Sequence, residues 1–165
     1  MAMAYMGRKN GVHLSLIETT IQKNAERKKE IADRILNKVA SIENPKIAVL
    51  GLAFKDGTDD CRESPAMEIV SAMLEKNADI IAFDPKAMKN AALLLGDKIR
   101  YADNMYQALT GADILVILTE WKKFKTLDLS QAAELMNGKY IFDCRNLLNK
   151  EQALSLGFDY QGIGY

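Results

Sequence analysis

The sequence is poor in the residues from which several kinds of site are built. It has two cysteines, Cys61 and Cys144, and one histidine, His13, in 165 residues. Structural zinc normally takes four Cys/His ligands, so that centre cannot be assembled and no metal site is expected. A Ser-His-Asp hydrolase would have to use His13, which lies in an amphipathic N-terminal segment, and that chemistry is set aside. One disulfide is arithmetically possible. Nothing else points to an oxidising compartment, however, and the chain is long enough to hold a core without one. An excess of either charge is also missing, since 22 Lys+Arg balance 22 Asp+Glu. Binders of nucleic acid or anionic membranes carry a basic excess, so neither partner is expected. No apolar run approaches the ~18 residues of a membrane span; Ile114 to Leu118 has the length of a buried strand. The N-terminus lacks a signal peptide's apolar core and cleavage site, and a cytoplasmic location is the expectation.

What is present is a globular composition, 48% hydrophobic and 27% charged, in a length that suits one ordinary domain with an extra helix. Residues 1–40 read as helix, with a break near Gly11. Leu14, Ile17, Ile21, Ala25, Lys28, Ala32, Ile35 and Val39 recur at spacings of three and four and form one stripe, interrupted at Lys28. Asn44-Pro45 stops that helix and marks the expected boundary between segments 1–44 and 45–165. Beyond it the period changes. Ile47 to Leu52 is a continuous apolar run, as in a strand covered on both faces. Further strands are expected at Asp79–Phe83, Ile99–Tyr101, Ala112–Leu118, Tyr140–Asp143 and Tyr160–Ile163. Helices are expected between them, the first starting at Ser64-Pro65 with Ser64 as N-cap. This alternation predicts an α/β fold: a Rossmann-like, doubly wound parallel sheet preceded by an N-terminal helical segment.

Open parallel sheets bind ligands beyond the carboxyl ends of their strands. Lys55 and Arg62 follow the first strand, Glu120 and Trp121 the fourth, and Arg145 the fifth. Lys55, Arg62 and Arg145 could converge on a pyrophosphate. Composition alone favours the plainer reading, in which they are solvated or paired with Asp56, Asp59, Asp60 and Asp143. The dinucleotide fingerprint is absent, because Gly51-Leu52-Ala53-Phe54-Lys55-Asp56 has one glycine where G-x-G-x-x-G needs three. Asp84 mimics a ribose-binding carboxylate but reads as turn chemistry before Pro85. Trp121 reads as core or interface.

The stretch Lys46-Ile47-Ala48-Val49-Leu50-Gly51-Leu52-Ala53-Phe54-Lys55-Asp56-Gly57-Thr58-Asp59-Asp60-Cys61-Arg62-Glu63-Ser64-Pro65 closely resembles the start of the C-terminal domain of the UDP-glucose/GDP-mannose dehydrogenase family. Ala82 to Met88, Ala112 to Trp121 and Tyr140 to Asn146 resemble three later segments of that domain, in order. The stretch before Pro45 is similar to the end of the family's central helical region. The turn Asp84 to Asn90 looks more like the UDP-glucose branch than the GDP-mannose branch.

The resemblance implies a function. The family oxidises the C6 alcohol of a nucleotide sugar to a carboxylate with two NAD per turnover. It holds NAD in an N-terminal domain and uses a cysteine in a glycine-rich motif, neither of which occurs here. No catalytic residue is therefore expected in this chain, and Cys61 and Cys144 are expected to be inert thiols. The abrupt helix at Met1-Ala2-Met3-Ala4 reads as the edge of a piece of a longer protein. By the same resemblance Phe54, Lys55 and Arg145 should contact the UDP-sugar, and Arg62 should approach the NAD side. Residues 14–39 should form a homodimer. The alternatives are a free-standing nucleotide-binding or interaction module, or a relative acting on GDP-mannose or a UDP-N-acetyl-hexosamine.

Overall fold

The computed structural model describes residues 2–164, so Met1 of the expected first helix lies outside it. Helix α1 (Ala2–Lys9) and helix α2 (Ser15–Lys38) precede a single six-stranded sheet. Its strands are β1 (Lys46–Leu50), β2 (Asp79–Phe83), β3 (Arg100–Tyr101), β4 (Ile114–Ile117), β5 (Tyr140–Asp143) and β6 (Asp159–Gly162). All pairs are parallel, in the order β3-β2-β1-β4-β5-β6. That is the doubly wound order with its switch point between β1 and β4. Helices α3 (Pro65–Leu74), α4 (Met88–Leu95), α5 (Met105–Leu109), α6 (Leu129–Leu135) and α7 (Lys150–Ser155) make the crossovers.

Apolar continuity explains the centre of the sheet. Ile47, Ala48, Val49 and Leu50 of β1 pair in register with Ile114, Leu115, Val116 and Ile117 of β4, and all eight are buried. Strand β1 ends earlier than its apolar run, because Gly51 takes a φ of 96°. A Cβ there would stand 2.6 Å from the Thr119 side chain, so only glycine lets the two chain crossings approach.

Helix α2 explains its own broken stripe. Ala32, Ile35 and Val39 are buried in the core of the sheet. Lys28, the polar interruption, reaches Glu68 of α3 at 2.6 Å, and Asp33 meets Lys76 at 2.6 Å. Lys38 reaches Asp159 of β6 at 2.7 Å, and the Arg34 guanidinium lies 5.2 Å from the centre of the Phe142 ring on β5. The last turns of segment 1–44 thus share the core of segment 45–165. They are not free for a partner, which narrows the self-association stripe expected over residues 14–39.

Caps differ from the expectation at one point. Asn104, Asp128 and Asn149 cap α5, α6 and α7 with their side chains. Ser64 precedes α3 with Pro65 following, but its hydroxyl makes no cap bond and donates instead to the Leu52 carbonyl. The Lys122–Thr126 segment after β4 is a short 3-10 helix. Before β5, Gly138 runs against the Asp113 carbonyl so closely that a Cβ would overlap it. Gly138→Ala should lower stability by about 1–3 kcal/mol, the usual range for overpacking. An unchanged urea unfolding midpoint would contradict this.

Candidate functional site

The site is built at the carboxyl edge, from the loop that leaves β1. Its stem is fastened at every backbone polar group from Leu52 to the Phe54 amide. The Leu52 and Ala53 amides donate to Asp84 Oδ2 at 2.8 and 3.0 Å. Ser64 Oγ donates to the Leu52 carbonyl at 2.9 Å, and Thr119 Oγ1 donates to the Ala53 carbonyl at 2.8 Å. The Phe54 amide donates to the Asp60 carbonyl at 2.8 Å. Farther out, Lys86 Nζ and Asn90 Nδ2 donate to the Gly57 and Asp59 carbonyls at 3.1 and 2.8 Å.

Asp84 does more than make a turn. Its Oδ1 accepts the Lys86 and Ala87 amides, which is the expected turn chemistry. Its Oδ2 also accepts the Trp121 indole N–H at 3.0 Å, beside the two loop amides. Five N–H donors therefore meet one carboxylate that is 1% exposed. A second buried carboxylate, Asp143, organises the β5 loop in the same way. It accepts from the Arg145, Leu147 and Leu148 amides and from the Tyr160 hydroxyl.

The candidate cations differ in how they are held. Phe54 and Lys55 are exposed at the tip of the fastened stem, and Lys55 makes no hydrogen bond or ion pair among the described residues. Arg145 is half-buried. Its Nε donates to the Leu118 carbonyl at 2.8 Å and lies 3.1 Å from Glu120 Oε2. The Asp143 partner that the sequence allowed for Arg145 is met by its amide only. Because Leu118 and Thr119 are consecutive, Arg145 is held next to the residue that holds Ala53. The stem that leads to Lys55 and the Arg145 side chain are thus both held at the end of β4. The Arg62 guanidinium chelates Asp60 at 2.9 and 2.8 Å, 87% exposed, in a groove with Asn90 and Leu93. The Arg62 hydrogen bonds hold the Asp60 carboxyl at about 2, below its ordinary value of 3.8.

This edge can bind an anion, but the β1 turn does not fit a dinucleotide. The amides that would face a pyrophosphate donate to Asp84, and the carboxylate that would take a ribose is filled by Trp121. Nor does the edge offer a thiolate. Burial, then the charge of Asp143, push the Cys144 thiol up to about 12, against the pull of Arg145, Arg34 and Arg27. Burial, then Asp84, push Cys61 up to about 11. Among the described residues no group of three or more His, Cys, Asp or Glu could hold a metal ion, and no helix is long and apolar enough to cross a membrane.

Residues 48–150 match the UDP binding domain of the UDP-glucose/GDP-mannose dehydrogenase family. The chain belongs to that family. It is 33% identical over 163 residues to the UDP-glucose 6-dehydrogenase TuaD of Bacillus subtilis, matching 99% of this chain and 35% of the relative. It is 35% identical over 165 residues to the UDP-glucose 6-dehydrogenase of Rhizobium meliloti, matching 99% of this chain and 38% of the relative. Among solved structures it resembles a UDP-glucose dehydrogenase from the archaeon Pyrobaculum islandicum, with a TM-score of 0.81 and 28% identity, over 99% of this chain and 35% of that one. The chain therefore spans little more than a third of the length of these relatives.

Sequence reasoning missed the roles of Asp84, Thr119, Glu120 and Trp121 around the loop. Their one available signal was position, since all four follow the apolar runs of β2 and β4. Both thiols should label slowly in the native chain at pH 8, with a thiolate fraction roughly a hundred-fold or more below that of an ordinary cysteine. Maleimide labelling should go to completion only in denaturant; fast labelling of the folded chain would contradict the burial.

Proposed function

We propose that this chain is the nucleotide-sugar-binding portion of an NAD-dependent UDP-glucose 6-dehydrogenase. The carrying observation is that residues 48–150 match a UDP binding domain, in which the exposed Lys55 has no partner among the described residues and Arg145 is anchored to the Leu118 carbonyl. In this reading Lys55 meets the diphosphate or sugar, Phe54 packs against the ligand, and Arg145 reaches the nucleotide sugar. Arg145 is oriented by the Leu118 carbonyl and Glu120, so little side-chain freedom is lost on binding. Arg62 is left to the cofactor side of the parent's cleft.

NAD supplies the hydride acceptor in the parent enzyme and is held mainly by another domain, because the β1 turn does not fit it. Oxidation of the C6 alcohol to the carboxylate likewise belongs to the whole enzyme, and this chain alone binds without turning over. Two free thiols are in keeping with a cytoplasmic setting.

Calorimetric titration with UDP, UDP-glucose, GDP-mannose and NAD tests the reading. UDP and UDP-glucose should bind, and NAD should not. Lys55→Ala and Arg145→Ala should each weaken UDP-glucose by about 1–3 kcal/mol, the range of charge-assisted hydrogen bonds. Tighter binding of GDP-mannose or a UDP-N-acetyl-hexosamine would move the substrate within the family. Unchanged isotherms for both variants would remove the site, and no binding at all would favour an interaction module.

A homodimer through the N-terminal helices belongs to the same reading. Met3, Tyr5, Met6, Val12 and Leu16 are large apolar side chains left exposed on α1 and around the start of α2, where a contiguous patch marks an interaction surface. Light scattering should give a dimer that Leu16→Glu dissociates. A monomeric unsubstituted chain at high concentration would overturn the assignment.

A further inference from the structure

Trp121 is the single tryptophan of the chain and is 5% exposed. Packing alone accounts for its ring but not for where its N–H goes. That N–H meets the same Asp84 oxygen that takes the Leu52 and Ala53 amides. Phe54 and Lys55 come next in the chain. The main-chain amide of Trp121 also donates to the Thr119 carbonyl at 2.9 Å, and the Thr119 hydroxyl holds the Ala53 carbonyl. One residue after β4 thus reaches both polar groups of Ala53, through Asp84 on one side and Thr119 on the other. Ser64 secures the neighbouring Leu52 carbonyl from the start of α3. The stem has no free backbone polar group from Leu52 to the Phe54 amide, whereas the tip carries a cation with no partner among the described residues. A rigid stem under a free tip is how a binding group is preorganised, since the ordering cost is met in folding rather than in binding.

We infer that Trp121, with Asp84, Thr119 and Ser64, positions Lys55 for the nucleotide sugar. These are positioning residues that act through the loop stem, and none touches the ligand. The inference rests on the UDP-sugar reading above. It adds that the groups of a dinucleotide crevice, the turn amides and the acidic residue after β2, have become the support of the loop that carries this cation.

A double-substitution cycle in the 165-residue chain tests it, using UDP-glucose as the probe and calorimetry as the readout. Trp121→Phe keeps an aromatic ring in the core and removes the N–H. It should weaken UDP-glucose roughly 2- to 10-fold, the scale of one net hydrogen bond. In a Lys55→Ala background the same substitution should change the affinity no further, because the residue through which it acts is gone. A residue of merely structural importance would shift the thermal midpoint without this non-additivity. Ser64→Ala removes a stem bond from the opposite side and should show the same pattern, which covers the case in which Trp121→Phe does not fold. Hydrogen exchange of the Leu52 and Ala53 amides in the ligand-free chain should quicken in Trp121→Phe. Full additivity with Lys55→Ala, or unchanged affinity in both variants while Lys55→Ala alone binds weakly, overturns the positioning role and leaves the UDP-sugar reading standing. Absence of UDP-glucose binding by the unsubstituted chain overturns that reading, and the positioning role with it.

Discussion

The carboxylate of Asp84 is the point on which the carboxyl edge depends. Taking a charge out of water costs several kcal/mol unless hydrogen bonds replace its hydration. Here five N–H groups converge on it from the β1 loop, the β2 turn and the segment after β4. Removing any one strand from this arrangement would leave a buried charge short of donors. The geometry of the β1, β2 and β4 ends is therefore set together. The loop that carries Lys55 inherits that fixity, although the Lys55 side chain has no partner among the described residues.

The same logic recurs at β5. Asp143 is buried and takes three main-chain amides and the Tyr160 hydroxyl, so the loop holding Arg145 is shaped from beneath. Arg145 then turns its guanidinium to the Leu118 carbonyl and Glu120. Two hydrogen-bonded inner carboxylates thus carry two outer cations at the switch point between β1 and β4. A net charge of zero over the chain conceals this arrangement, because sign is sorted by depth rather than by region of the sequence.

Helix α2 serves both the sheet and the N-terminal surface. Its last turns complete the face of the sheet that α3 begins, with Ile35 and Val39 buried and Lys28 bridging to Glu68. Its first turns carry α1 away from the sheet and leave apolar side chains uncovered. A single amphipathic stripe reads as one surface in sequence. It divides in space because a 24-residue helix is ~36 Å long, well beyond the ~17 Å of a five-residue strand.

Much of the fold was legible because it rests on local periodicity. Apolar runs four to six long, bounded by Pro45, Ser64-Pro65 and Asp84-Pro85, located the β1–β2 half of the sheet, and alternation with helices gave its parallel, doubly wound class. The motif around Phe54 and Lys55 carried the family. Side-chain destinations were not legible. That Ser64 would hold Leu52 rather than cap α3, that Arg62 would choose Asp60, that Arg145 would choose Glu120 over Asp143, and that Trp121 would meet Asp84 are long-range or competing pairings. In each case several donors and acceptors of equal chemistry lay within reach in the sequence. Periodicity along a chain states which residues are inside. Only the packing of three strand ends against one another decided which buried carboxylate each N–H would find, and hence where the loop bearing Lys55 would stand.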